Sequence, residues 1–232
     1  MKQTPFIKGL LYGIPIGLGY LSVSFGFGIL AVKSGLSVLE ASLISLTNLT
    51  SAGQAAGVEV IAAGGTLLEM ALVQLTINIR YALMALSLSQ KLDQSFTLPH
   101  RLLAAYGITD EIFAVCASQE EKLLPTYMYG IISISTAGWV TGTFLGAAAG
   151  ELLPAAVSAA LGIMLYGMFI AIIVPPARKQ RSVLCVVLAA AALSIACKYL
   201  LPGLSGGFAV ILCAVAASVL GALLFPREEE DA

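Results

Sequence analysis

The chain has 232 residues, of which 59% are hydrophobic and 11% charged, with a formal net charge of −1 and a mean hydropathy of +0.95. Soluble domains carry roughly 25% charged residues, so this composition excludes an ordinary soluble domain and places the chain among membrane proteins. The charge balance gives no support to nucleic acid as a partner, and the placement of charge matters more than its total.

A spanning helix needs about 20 apolar residues. Seven windows qualify, at roughly 9–32, 38–63, 66–90, 123–149, 155–174, 183–201 and 206–225. The first is long and lacks an A-x-A cleavage site, so it reads as a transmembrane helix that stays. The second is the weakest, because it contains Asn48, Gln54 and Glu59 and is interrupted by SAGQAAG at 51–57. Gly53 and Gly57 permit a non-helical break there, and Ser51 and Gln54 supply donors and acceptors. Irregular backbone is tolerated at membrane depth where it is buried in protein or lines a cavity. A half-helix start in such a break offers N–H groups and a positive dipole end to an anion; the plain alternative is a packing kink with no ligand.

The third window, TLLEMALVQLTINIRYALMALSLSQ, carries Arg80 near its middle and Asn78 two residues earlier. An arginine at the centre of a spanning helix costs about 2.5–3.5 kcal/mol on insertion scales, so it must face protein or water. Glu69, Thr76, Arg80 and Ser87 share one face, whereas Gln74 and Asn78 share another. Arg80 either pairs with a carboxylate (Glu59, Asp110 or Glu111) to fix packing or lines a path for substrate. The polar segment 91–122 follows, and in it Thr109 precedes Asp110 and Glu111. As carboxylates these are candidates for proton coupling, together with Glu59; as acids in a first helical turn they simply suit the helix dipole.

Lysine and arginine placement puts the loop PPARKQR (175–181) on the cytoplasmic side, along with 91–122 and the C-terminal end. Charge leaves the N-terminal side open: one crossing by 38–63 places it outside, and a re-entrant hairpin places it inside. Tyr-Gly-Ile recurs at 12–14 and 129–131, each early in a glycine-rich helix with glycines at i, i+4 (9, 13, 17 and 138, 142, 146, 150). Such ladders let helices approach closely in lipid. Three crossings repeated after an odd number form an inverted repeat, which favours seven crossings with the N-terminus outside and the C-terminus inside, halves at about 1–115 and 116–201, and an extra helix at 206–225. The expectation is thus one all-α polytopic transmembrane domain with a discontinuous second helix.

Other chemistry has little to stand on. Cys116, Cys185, Cys197 and Cys213 lack the close spacing of a zinc or redox site. His100 reads as a solvated loop residue, while Glu69 and Lys198 read as interfacial. Gly203-Leu204-Ser205-Gly206-Gly207 fits G-x-S-x-G but lies between two apolar helices, without the strand–turn–helix setting of a nucleophile elbow. No HExxH or GxxxxGK[ST] is present, so neither an enzyme nor a cofactor is expected.

The first helix YGIPIGLGYLSVSFGFG, the SAGQ break, the NIR of 78–80 and the TDEIF of 109–113 together resemble the AzlC family of branched-chain amino-acid exporters. The resemblance covers most of the chain in order, with departures at Tyr81 and in NLTSAGQ. It implies export of isoleucine, leucine, valine or similar amino acids across the cytoplasmic membrane, and a small AzlD-like membrane partner. Asn48, Ser51, Gly53, Gln54, Asn78 and Arg80 are then the candidate substrate-binding residues. A non-transporting membrane subunit that stabilises a transporting partner is the alternative.

Overall fold

The computed structural model describes residues 4–152, 154, 167, 169–171 and 173–226. These form α1 (Pro5–Lys33), α2 (Val38–Thr47), α3 (Ser51–Ala62), α4 (Leu67–Ser89), α5 (Leu98–Tyr106), α6 (Asp110–Ala117), α7 (Pro125–Leu152), α8 (Arg181–Leu200) and α9 (Gly206–Leu224). Residues 173–179 are helical too. The described residues contain no strand, only an isolated bridge between Leu92 and Leu123. Within them α1, α4, α7, α8 and α9 are long and apolar enough to cross a membrane. Most of the window expected at 155–174 lies outside the described residues.

The chain divides into two compact units. One is drawn from the described residues within Met1–Ala55 and Ile77–Leu165, the other from those within Ala56–Thr76 and Tyr166–Ala232. This division does not follow the expected halves, because α1 and α7, one from each half, pack together in the first unit.

Glycine decides how they pack. A Cβ on Gly9 would overlap the carbonyl of Tyr127, one on Gly28 that of Thr143, and one on Gly146 that of Phe25. Gly138 and Gly142 lie equally close to the backbone of Gly17 and Leu21. Residue numbers rise together along the contact, so α1 and α7 lie side by side and parallel. The repeat expectation has these two helices antiparallel, and the register of the glycine contacts corrects it.

The second helix is discontinuous, as expected, but the break lies at 48–50 rather than in SAGQAAG. Asn48 is extended (φ −142°, ψ 97°), and α3 begins at Ser51. Thr50 Oγ1 accepts the N–H of Gly53 at 3.4 Å, so SAGQAAG begins the helix instead of interrupting it. Gln54 donates back to Ser45 Oγ at 2.8 Å, which brings α3's first turn against α2's last. From Asn78, beside Thr50, α4 runs to Leu88, which packs with Leu123 and Tyr127 at the start of α7. Its second half is therefore antiparallel to α1 and α7. Within this unit residues 38–55 turn back at Asn48–Thr50, where Gln54 meets Ser45.

Segment 91–122 is likewise more than a loop. Leu123 exchanges backbone hydrogen bonds with Lys91 and Asp93, both 2.9 Å, and Lys91 Nζ donates to the carbonyls of Ala117 and Gln119. Both ends of the segment thus lie together, next to the start of α7. Between them α5 runs in beside α7, with His100 Nδ1 2.6 Å from the Tyr129 hydroxyl and Gly107 against the Ile132 side chain; α6 then runs back. His100 is a half-buried helix residue rather than a solvated loop residue. Within the first unit α2 and α5 thus enter from opposite ends and meet at their tips.

In the second unit, Glu69 is buried, and Ser205 donates a short hydrogen bond to its Oε1. Ser205 Oγ also accepts the N–H of Phe208 as the N-cap of α9. The G-x-S-x-G serine is a helix cap, and Glu69 is not interfacial: its carboxylate lies against Gly207 at the positive end of α9. Lys198 is exposed in the last turn of α8. Cys197 and Cys213 join α8 to α9 with their sulfurs 3.7 Å apart.

Candidate functional site

Both hairpin tips lie near the middle of α1 and α7, and there the polar residues gather. The Tyr106 hydroxyl, at the end of α5, donates to the Leu46 carbonyl near the end of α2 at 2.6 Å. That bond joins the two tips and satisfies one of the carbonyls that a helix end leaves open. Gly107 has no room for a Cβ against Ile132, so the second tip needs glycine to sit on α7. Thr109 then caps α6, its extended backbone (φ −125°, ψ 172°) placing Oγ1 to accept from Ile112 N.

Capping sets the two carboxylates. Asp110 and Glu111 occupy α6's first turn. Arg80 Nη1 lies 2.7 Å from Asp110 Oδ2, with the side chains 40% and 36% exposed. The guanidinium also stands 4.9 Å from the Tyr81 ring centroid, a cation–π contact, and donates to its hydroxyl at 3.3 Å. Tyr81 in turn donates to Thr50 at 3.3 Å, and Thr50 to Asn78 Oδ1 at 2.8 Å. One chain of polar contacts therefore links α4 to both tips. On α1, the Tyr20 hydroxyl lies 2.5 Å from Glu111 Oε2 and 2.6 Å from Thr109 Oγ1.

Behind this lies a buried network. Trp139 Nε1 donates to Gln54 Oε1 at 2.8 Å, Gln54 Nε2 donates to Ser45 Oγ at 2.8 Å, and Ser45 Oγ is 2.7 Å from Thr143 Oγ1. Gln54, Ser45 and Thr143 are at most 1% exposed, and the Trp139 ring meets Tyr20 edge-on at 5.2 Å. Gln54 pins the first hairpin to α7. Replacing it with leucine strands a buried indole N–H, at a cost of about 1–3 kcal/mol. The midpoint of thermal unfolding of the purified protein is expected to fall by several degrees, with Gln54→Glu less affected because it keeps an acceptor.

The structure thus brings together Thr50, Asn78, Arg80, Asp110 and Glu111, with Gln54 behind them. Gly53 lies buried in α3's first turn, while Asn48 and Ser51 flank Thr50 at the first tip. Glu59 belongs to the other compact unit. Tyr20, Thr50, Tyr106 and Trp139 have no role in the sequence reading, and Tyr81 enters it only as a departure from the family pattern. Only Thr109 carried a signal, a threonine directly before two acids, which marks a helix N-cap. Among the described residues no group of three or more histidine, cysteine or acidic side chains could hold a metal ion.

The fold and site define a polytopic all-α membrane protein with a polar centre where the ends of α2 and α5 meet. The sequence profile of the AzlC protein matches residues 15–153, which include α7 and both hairpins; the chain belongs to the AzlC family. An uncharacterized membrane protein of Archaeoglobus fulgidus is 34% identical over 176 residues, 75% of this chain and 77% of that one. The inner membrane protein YgaZ of Escherichia coli is 32% identical over 191 residues, 79% and 78% of the two chains. An uncharacterized membrane protein of Helicobacter pylori is 28% identical over 142 residues, 60% of this chain and 61% of that one. No solved structure matches the chain.

Proposed function

We propose that this chain exports branched-chain or other neutral amino acids across the cytoplasmic (inner) membrane as a secondary transporter driven by protons, working with a small AzlD-like membrane partner. One observation carries the reading: an arginine–carboxylate pair stands at the meeting point of two opposed hairpins with both side chains more than a third exposed. Charges at helix mid-depth need polar surroundings. A zwitterionic amino acid suits this pair, because its carboxylate replaces Asp110 at Arg80 while its ammonium takes Asp110. The exchange leaves no charge without a partner, and an apolar side chain needs only the helix faces around it.

Hairpins entering from opposite ends supply the moving parts of alternating access, and the close-packed α1–α7 pair supplies a fixed frame. The end of the first unit where α1 starts carries Lys8, Lys91 and Lys122, and the other end of α1 carries Lys33. Lysine excess favours the cytoplasm, so the second hairpin enters from inside and the first from outside.

The test follows efflux from dipeptide-loaded cells lacking their own exporters, expressing this chain with and without an AzlD-like partner. Faster loss of isoleucine, leucine, valine or methionine is expected with the pair. Unchanged levels of all four, with both proteins in the membrane, would remove these amino acids as substrates and favour an accessory role.

A further inference from the structure

The transport reading leaves open which group carries the proton. Asp110 and Glu111 are neighbours, yet their partners differ in kind. Arg80, which stays charged in proteins, holds Asp110 at 2.7 Å in an ion pair. Among the described residues Glu111 has no ion-pair partner. Its contact is the hydroxyl of Tyr20, a residue more than nine-tenths buried on α1, and that hydroxyl also touches Thr109.

We propose that, within the transport cycle above, the two carboxylates divide the work: Asp110 partners Arg80 in the empty site and the substrate ammonium in the loaded one, while Glu111, held by Tyr20 and Thr109, takes up and releases the driving proton.

Glu111 keeps Tyr20 as its partner in both states. When Glu111 is ionised, Tyr20 donates to Oε2, and the Thr109 hydroxyl donates to the Tyr20 oxygen. When Glu111 is protonated, the acid donates to the Tyr20 oxygen, and the Tyr20 proton turns to Thr109 Oγ1. A hydroxyl oxygen has two lone pairs, so Thr109 Oγ1 can accept from Tyr20 while still accepting from Ile112 N. Only the Thr109 proton gives up its acceptor when the proton arrives. Asp110 has no such reversible partner, since a guanidinium donates but cannot accept. Among the described residues the other charged or titratable groups at this site are Arg80 and Tyr81 on α4, Tyr106 on α5 and Asp110 on α6. From α7, Trp139 stands against Tyr20 and does not titrate.

Protonation also removes a charge at the contact between α6 and α1. Loss of that charge at the tip would alter how firmly the second hairpin is held, which links proton binding to hairpin movement.

The test uses the full chain reconstituted with its AzlD-like partner in vesicles, with two readouts on labelled leucine: exchange at equal pH, and accumulation driven by a pH gradient. Glu111→Gln keeps an acceptor for Tyr20, so exchange is expected to stay within about threefold while gradient-driven accumulation falls at least tenfold. Tyr20→Phe removes the hydroxyl that meets Glu111, so gradient-driven accumulation is expected to fall several-fold with exchange retained. Accumulation still driven in Glu111→Gln, loss of exchange together with driven transport, or unchanged gradient-driven accumulation in Tyr20→Phe would each overturn the division. A wild-type complex that exchanges no leucine, isoleucine, valine or methionine removes the transport reading, and this division with it, before any variant is compared.

Discussion

Arg80→Ala is expected to cut amino-acid efflux by roughly 10- to 100-fold while leaving the amount of protein in the membrane unchanged. The size follows from a charge-assisted hydrogen bond, about 1.5–3 kcal/mol to a charged group, lost where the substrate carboxylate would sit. Folding should be spared, because a pair with side chains 40% and 36% exposed contributes little to stability. Arg80→Lys keeps the charge but loses the planar fork and the stacking on Tyr81, so partial activity is expected from it. Efflux rate per unit of protein in the membrane is the measurement. Normal efflux by the alanine variant would sink the assignment of Arg80 to the path.

The second large effect concerns the frame. Gly146→Ala is expected to deplete folded protein severely, because the added methyl overlaps the Phe25 backbone and backbone cannot step aside as a side chain can. Overpacking typically costs about 1–3 kcal/mol and occasionally more, and here it must push apart a pair of helices in contact along their length. Gly138→Ala and Gly28→Ala should behave alike. Gly19→Ala, on the same helix as Gly28 but with nothing within 4 Å of its new Cβ, should fold normally. Monodisperse yield after detergent extraction distinguishes them. Equal yields for Gly146→Ala and Gly19→Ala would mean that the α1–α7 contact is not close-packed in the membrane.

Much of this frame was legible because lipid imposes simple rules. Length and hydropathy mark α1, α4, α7, α8 and α9, and the i, i+4 glycines mark the faces on which α1 and α7 meet. Arg80 announced itself by its cost, and Asp110 was among the partners it could reach. The hairpins were harder to see. At 9 and 8 residues, α5 and α6 are each too short for a spanning window, and His100, Arg101, Asp110 and Glu111 made their segment look like a loop. The second window breaks three residues earlier than its glycines suggest, because Thr50 caps a helix that tolerates Gly53 and Gly57. The parallel run of α1 and α7 depends on whether two short segments cross or return, and only contacts such as Gln54 to Ser45 and Lys91 to Ala117 reveal that. Tyr20 and Trp139 looked like ordinary aromatic residues in apolar helices. Their roles come from what folding brings to them.

Labelling with a membrane-impermeant maleimide in a cysteine-free background, at Thr4→Cys, Lys33→Cys and Gln94→Cys, tests the arrangement most directly. Two re-entrant hairpins place Thr4 and Gln94 on one side, expected to be cytoplasmic, and Lys33 on the other. Labelling of Thr4→Cys and Gln94→Cys from opposite sides would mean that residues 38–62 cross the membrane, and the meeting of the two tips at Arg80 would fall with that result.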